Sequence, residues 1–152
     1  MIFSIQQASP TDLETLSNIE QECFTSEAFS KTQIASLLKA PTSVSLLAKA
    51  GEQVVGFIIG SVNDFGEIKL GHIVTIDVVP EYRRKGVGML MLQKVEREFQ
   101  NAGVKVCYLE VRADNTAAKK LYQKRGYRQV EVLDDYYYRG GHGIRLEKAL
   151  LL

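Results

Sequence analysis

A chain of 152 residues, 45% hydrophobic and 24% charged, is bounded to one globular domain, residues 1–152, with a single core. Its net charge of +1 excludes a general electrostatic pull toward nucleic acid or membrane, and no apolar run approaches the about 20 residues that span a bilayer. Two Cys and two His are too few and too scattered for a disulfide framework or a metal centre; Cys23 and Cys107 are expected as reduced core thiols in a cytoplasmic protein. The opening Met1-Ile2-Phe3-Ser4-Ile5 has no basic leader, which fits that placement.

Taken in chain order, residues 2–7 read as a strand. Ser9-Pro10-Thr11-Asp12 starts a helix, whose apolar stripe is Leu13, Leu16, Ile19 and Cys23. Ser30-Lys31-Thr32-Gln33 is a capping box for a second, short helix. Strands follow at 43–49 and 53–62, hinged at Ala50-Gly51-Glu52, and a turn at Asp64-Phe65-Gly66-Glu67 leads into the long strand 70–79. Val87, Leu90, Met91, Val95 and Phe99 recur at helical spacing, with Lys94, Glu96, Arg97 and Glu98 assigned to the surface. Residues 105–111 are β-branched and aromatic, so a strand, crossover helix and parallel strand make a βαβ unit. Asp114 or Asn115 caps the next helix, which carries Ala117, Ala118, Leu121 and Tyr122 and stops at Gly126. Residues 130–138 and 144–151 are the closing strands. The sum is an α/β fold: a mixed sheet of about seven strands with helices on both faces.

The segment Val78-Val79-Pro80-Glu81-Tyr82-Arg83-Arg84-Lys85-Gly86-Val87-Gly88 joins a strand to a helix through a basic, glycine-bearing turn. The first N–H groups of a helix lack intrahelical partners and sit at the positive end of its dipole. Gly86 and Gly88 remove the Cβ atoms that would hold an anion away from those amides. Arg83, Arg84 and Lys85 add charge suited to a diphosphate. The turn lacks the Gly-x-x-x-x-Gly-Lys-Ser/Thr pattern and lacks three Gly at dinucleotide spacing.

Arg83-Arg84-Lys85-Gly86-Val87-Gly88 does resemble the acetyl-CoA pyrophosphate loop of the GNAT acetyltransferases, Arg/Gln-x-x-Gly-x-Gly/Ala. Tyr108-Leu109-Glu110-Val111-Arg112-Ala113-Asp114-Asn115-Thr116-Ala117-Ala118 and Leu121-Tyr122-Gln123-Lys124-Arg125-Gly126-Tyr127 look like the second half of the same fold. The combination is similar to RimI-like protein N-terminal acetyltransferases, in detail from 73 to 138. The resemblance implies a GNAT fold with a splayed cleft for acetyl-CoA as co-substrate and no metal. It implies cofactor contacts at Ile76, Asp77, Val78, Arg83, Arg84, Lys85, Gly86, Val87, Gly88, Asn115 and Tyr122. The acceptor is expected to be the N-terminus of a protein or peptide, a ribosomal protein among the candidates. A small amine or a lysine side chain is the alternative, and a CoA-binding subunit without turnover is a third. No nucleic-acid or membrane partner is expected.

Glu110 shares a strand face with Val106 and Tyr108, so its carboxylate faces desolvation. Desolvation raises a carboxyl pKa toward the range of a general base, whereas a salt bridge to Arg112 or a helix Lys would keep it structural. The resemblance makes Glu110 the base. Tyr122 lies one turn after Ala118; by itself it reads as a core aromatic, and the resemblance makes it the acid that protonates the departing thiolate. His72 is either a half-buried structural histidine or an auxiliary base, since a free imidazole titrates near neutral pH; strand alternation groups it with Val74 and Ile76. Tyr136, Tyr137 and Tyr138 match the peptide-gripping loop of the family, with Phe24 on the facing segment. The sequence departs from the family at Ala28-Phe29-Ser30, where Pro-Trp-Ser is usual, and at Gly141-His142-Gly143. Both places border the acceptor pocket.

Overall fold

The computed structural model describes residues 2–24, 27–137 and 141–150. The elements run β1 (Ser4–Gln7), α1 (Leu13–Cys23), α2 (Lys31–Lys39), β2 (Ser43–Ala50), β3 (Gln53–Phe65), β4 (Ile68–Val78), α3 (Val87–Asn101), β5 (Val106–Arg112), α4 (Thr116–Lys124), β6 (Arg128–Tyr137) and β7 (Gly141–Ala149). Tight 3-10 turns at Pro10–Asp12 and Pro80–Tyr82 precede α1 and the basic turn. The order is the one expected from the sequence. Tyr138, Leu151 and the Thr25-Ser26 pair, which that reading also used, lie outside the described residues.

The strands form one sheet in the order β1-β2-β3-β4-β5-β7-β6. Only the β4–β5 pair is parallel, the pair joined by the α3 crossover; the other ladders are antiparallel. Helix α3 packs on one face. Phe99 is fully buried there against Gly60 and Gly71, where an added Cβ would lie 2.6 Å from its ring. Those two glycines let an aromatic ring reach the backbone of the sheet. Helix α1 packs on the other face, where Leu16 and Ile19 are buried and Glu20 meets Thr75 of β4.

Two charged residues depart from the amphipathic reading. Glu96, expected on the surface, is 3% exposed. Its carboxylate takes Arg125 Nη2 at 3.0 Å, Lys148 Nζ at 2.8 Å and Tyr127 Oη at 3.0 Å, and these partners replace the water lost on burial. Glu20 is 1% exposed and stands within the apolar stripe of α1.

One irregularity in β4 sets the geometry of the site. Ile59 pairs with Thr75 and Gly60 with Ile73, so Val74 is an extra residue opposite nothing. This bulge reverses the alternation. His72 therefore does not share a face with Ile76, as simple parity predicts; it joins Thr75 and Asp77 on the α1 side.

Candidate active site

The parallel ladder between β4 and β5 covers Leu70↔Val106, Gly71↔Cys107 and His72↔Tyr108, and stops there. Beyond it the two strands part, leaving a cavity of about 250 Å³ whose walls include His72, Thr75, Glu110 and Tyr122. The expected splay is thus present, directly after His72. Val79 N–H donates to Val55 O at 2.9 Å, toward β3. Backbone groups alternate along a strand, so those of Val78 and Ile76 point the other way, into the gap.

At the inner end of the gap, His72 Nε2 lies 2.7 Å from Glu110 Oε1. Arg145 Nε donates to Glu110 Oε2 at 3.1 Å, and its Nη1 donates to Glu131 at 2.9 Å. Tyr108 stacks on His72, centroids 4.6 Å apart, and Arg145 lies 5.6 Å from the same ring. Burial pushes the Glu110 carboxyl up, but the hydrogen bonds and charge of His72, then of Arg145, outweigh it and leave the pKa below the ordinary carboxylate value. This corrects the expectation of a raised pKa: the desolvation is real, and the interactions with His72 and Arg145 overcome it. The ion-pair alternative named Arg112 or a helix Lys; the partners are instead His72 and Arg145. Arg145 was missed from the sequence. The pairing of β7 with β5 sets Arg145 directly opposite Glu110.

Asn115 caps α4, its side-chain oxygen accepting from Ala118 N at 3.1 Å. Two turns on, Tyr122 is 5% exposed and meets Tyr127 edge to face at 5.9 Å. Burial above all raises the Tyr122 pKa, so the phenol keeps its proton.

At the mouth, the backbone takes left-handed values at Arg84 (φ 63) and Gly86 (φ 88). No heavy atom lies within 4 Å of where a Cβ of Gly86 would stand, so its conformation and an open approach, not crowding, require glycine. The first helical bond of α3 is Leu90 N to Gly86 O, which leaves the amides of Val87, Gly88 and Met89 ahead of it unpaired and pointing outward. The Val87 side chain is buried, so only its backbone is presented at the mouth. Arg84 and Lys85 are exposed beside it, whereas Arg83 turns back and donates from Nε to Val78 O at 2.9 Å. Asp77, grouped with the cofactor contacts on sequence, faces elsewhere. Its side chain is 1% exposed, and its carbonyl lies toward Gly56 of β3.

Asp77 belongs to a buried polar cluster that the sequence reading missed. Thr75 Oγ1 lies 2.7 Å from Asp77 Oδ1 and 3.2 Å from Glu20 Oε1, and Phe29 N donates to Glu20 Oε2 at 3.1 Å. A threonine has one proton to donate, so two bare carboxylates cannot both be satisfied. Burial first, then Glu20, pushes the Asp77 carboxyl up to about 9, and the pair shares a proton at neutral pH. The signal in the sequence is alternation: Asp77 and Thr75 share one face of an apolar strand.

The outer walls of the cavity are Phe24, Glu27 and Phe29 on one side and Tyr136 and Tyr137 on the other. The two tyrosines pack edge to face at 4.9 Å. Tyr138 lies outside the described residues. Among the described residues no group of three or more His, Cys, Asp or Glu could hold a metal ion, and no helix is long and apolar enough to cross a membrane.

Residues 13–127 match the Acetyltransferase (GNAT) family. The chain is 32% identical over 149 residues to an N-alpha-acetyltransferase of Sulfurisphaera tokodaii, covering 91% of this chain and 87% of that protein. It is 28% identical over 134 residues to the ribosomal protein bS18-alanine N-acetyltransferase of Salmonella typhimurium, covering 88% and 86%. The crystal structure of the ribosomal-protein-S18-alanine N-acetyltransferase from Escherichia coli is similar at TM-score 0.89 and 25% identity, covering 99% of this chain and 96% of that one. The chain belongs to the GNAT family and is an N-acetyltransferase.

Proposed function

We propose that this GNAT acetyltransferase moves the acetyl group of acetyl-CoA to the α-amine of a protein or peptide N-terminus. The observation that carries the reading is the cavity after His72. It brings a His72–Glu110 couple and a buried, protonated Tyr122 to one space, between the outward strand amides and a wall of tyrosines. The names of the relatives support the acceptor class, including a ribosomal protein. The two free cysteines support a reducing, cytoplasmic setting.

The residues present fit acetyl-CoA. The unpaired amides of Val87, Gly88 and Met89, with Arg84 and Lys85 beside them, suit its diphosphate. The outward backbone groups of Ile76 and the N–H of Val78, whose carbonyl already accepts from Arg83, suit its amide-bearing arm, held as an added strand. When bound, acetyl-CoA supplies an acyl thioester. An α-amine titrates at about 7.7–8.0, so removing its proton is a modest task. His72 and Glu110 act as one base: Arg145 keeps Glu110 ionised, and the carboxylate orients the imidazole or accepts the proton through it. The Ile76 N–H is turned toward the gap as a donor for the developing oxyanion. Tyr122 donates its proton to the departing sulfur. Neither Cys23 nor Cys107 is activated; burial raises both thiols to about 11, which favours direct transfer over an acetyl-cysteine.

The test is incubation with acetyl-CoA and a panel of peptides differing at the first residue. Each accepted peptide gains one acetyl group, and peptides opening with Ala, Ser or Met are expected among them. A panel that stays unmodified while a polyamine is acetylated would refute the acceptor class.

A further inference from the structure

We propose that Arg112 is a positioning residue: it latches the two walls of the acceptor slot to each other and to the strand that carries Glu110. The proposal rests on the reading of those walls as the acceptor site. Arg112 Nη1 donates to Glu27 Oε1 at 2.5 Å, in the segment between α1 and α2 that carries Phe24 and Phe29. The same guanidinium lies 5.6 Å from the centroid of Tyr137, at the end of β6. It also presses on the start of β7, where a Cβ added to Gly141 would come within 2.6 Å of Nη1. Its Nε donates to Asp114 Oδ1 at 3.1 Å, which fixes the rotation of the fork.

Four contacts on one planar group need the geometry of arginine. A lysine offers a point charge and can neither stack on Tyr137 nor lie flat on Gly141 while meeting two carboxylates. The anchor is also well placed. Arg112 and Glu110 are successive residues on one face of β5, so the latch measures the position of both walls from the strand that holds the base. A peptide between Phe29 and Tyr136 is then delivered at a fixed distance from Glu110. The ion pair is partly exposed, 33% at Arg112 and 22% at Glu27, so salt should weaken it.

Steady-state kinetics on an accepted peptide and hydrogen exchange on the whole protein test this together. In Arg112→Gln the peptide KM should rise about tenfold and kcat should fall less than threefold, with the acetyl-CoA dissociation constant within twofold. Arg112→Lys should recover little of the KM. Glu27→Gln should raise KM by a smaller factor, since it loosens one arm of the latch, and the double variant should be no worse than Arg112→Gln, because the Glu27 contact is already lost there. Amide exchange should speed up in residues 27–30 and 133–137 together, with α3 unchanged. A folded Arg112→Gln whose KM moves less than twofold, fully additive single variants, or faster exchange in one wall alone would each overturn the latch. The exchange result needs no acceptor. If the wild type acetylates no N-terminus yet both walls loosen together, the acceptor reading has failed and the latch stands.

Discussion

Asp77→Asn should stabilise the protein above neutral pH and flatten its dependence of stability on pH. The Asp77 carboxyl ordinarily titrates at 3.8, and burial followed by Glu20 pushes it up to about 9 in the fold. Between those values the folded chain keeps a proton that the unfolded chain has released. Stability therefore falls as pH rises through that window. One proton amounts to about 1.36 kcal/mol per pH unit, so the step from pH 6 to pH 8 costs about 2.7 kcal/mol. For a domain of this size that is a loss of roughly 5–10 °C in melting temperature. In the variant, the Asn oxygen still accepts from Thr75, and its NH₂ donates to Glu20 where the shared proton did. The assay is thermal unfolding of both proteins in matched buffers from pH 5.5 to 8.5. Titrating groups distant from the Glu20–Asp77 pair are common to both and cancel in the difference. Parallel curves would show that the Glu20–Asp77 pair holds no proton and would refute the reasoning.

Other perturbations address the chemistry. Glu110→Gln and His72→Ala should each lower turnover by about 10²–10⁴, and the double variant should be little worse than either, as for groups that act as a unit; two full and multiplicative defects in rate profiles would separate their roles. Arg145→Gln removes a cation that holds the Glu110 pKa down, so the acid limb of the kcat/KM profile should move to higher pH, an effect that loss of packing alone would not produce. Tyr122→Phe should slow turnover, and the defect should shrink with an acetyl donor whose thiol leaves more easily; an equal defect for both donors would argue against proton donation to sulfur.

Most of the fold was legible in the sequence because its signals are local. The Ser30 capping box forms as predicted, with Gln33 N–H donating to Ser30 Oγ at 3.1 Å and the Gln33 side chain returning to Ser30 N at 2.8 Å. The glycine turn and the heptad-like stripe of α3 likewise depend on neighbours within one or two turns. What was not legible is long-range or breaks a period. The bulge at Val74 inverts parity for His72, and no propensity in Ile73-Val74-Thr75 announces it. Glu96 looks like a surface acid on a helical wheel and Glu20 interrupts an apolar stripe; both are core residues because Lys148, Arg125 and Thr75 reach them from elsewhere in the chain. The Glu110 pKa was misjudged for the same reason. Burial can be read from alternation along one strand, but the compensating partners, His72 and Arg145, come from β4 and β7.

The most direct test of the central claim is to locate the acetyl group. A peptide that opens with Ala or Ser and carries an internal lysine is incubated with the protein and acetyl-CoA, and the product is fragmented in a mass spectrometer. A second peptide, identical but with its N-terminus blocked, is run beside it. The account predicts one acetyl group on the α-amine of the first peptide and none on the second. Acetyl-lysine in either peptide, with the free α-amine untouched, would contradict it.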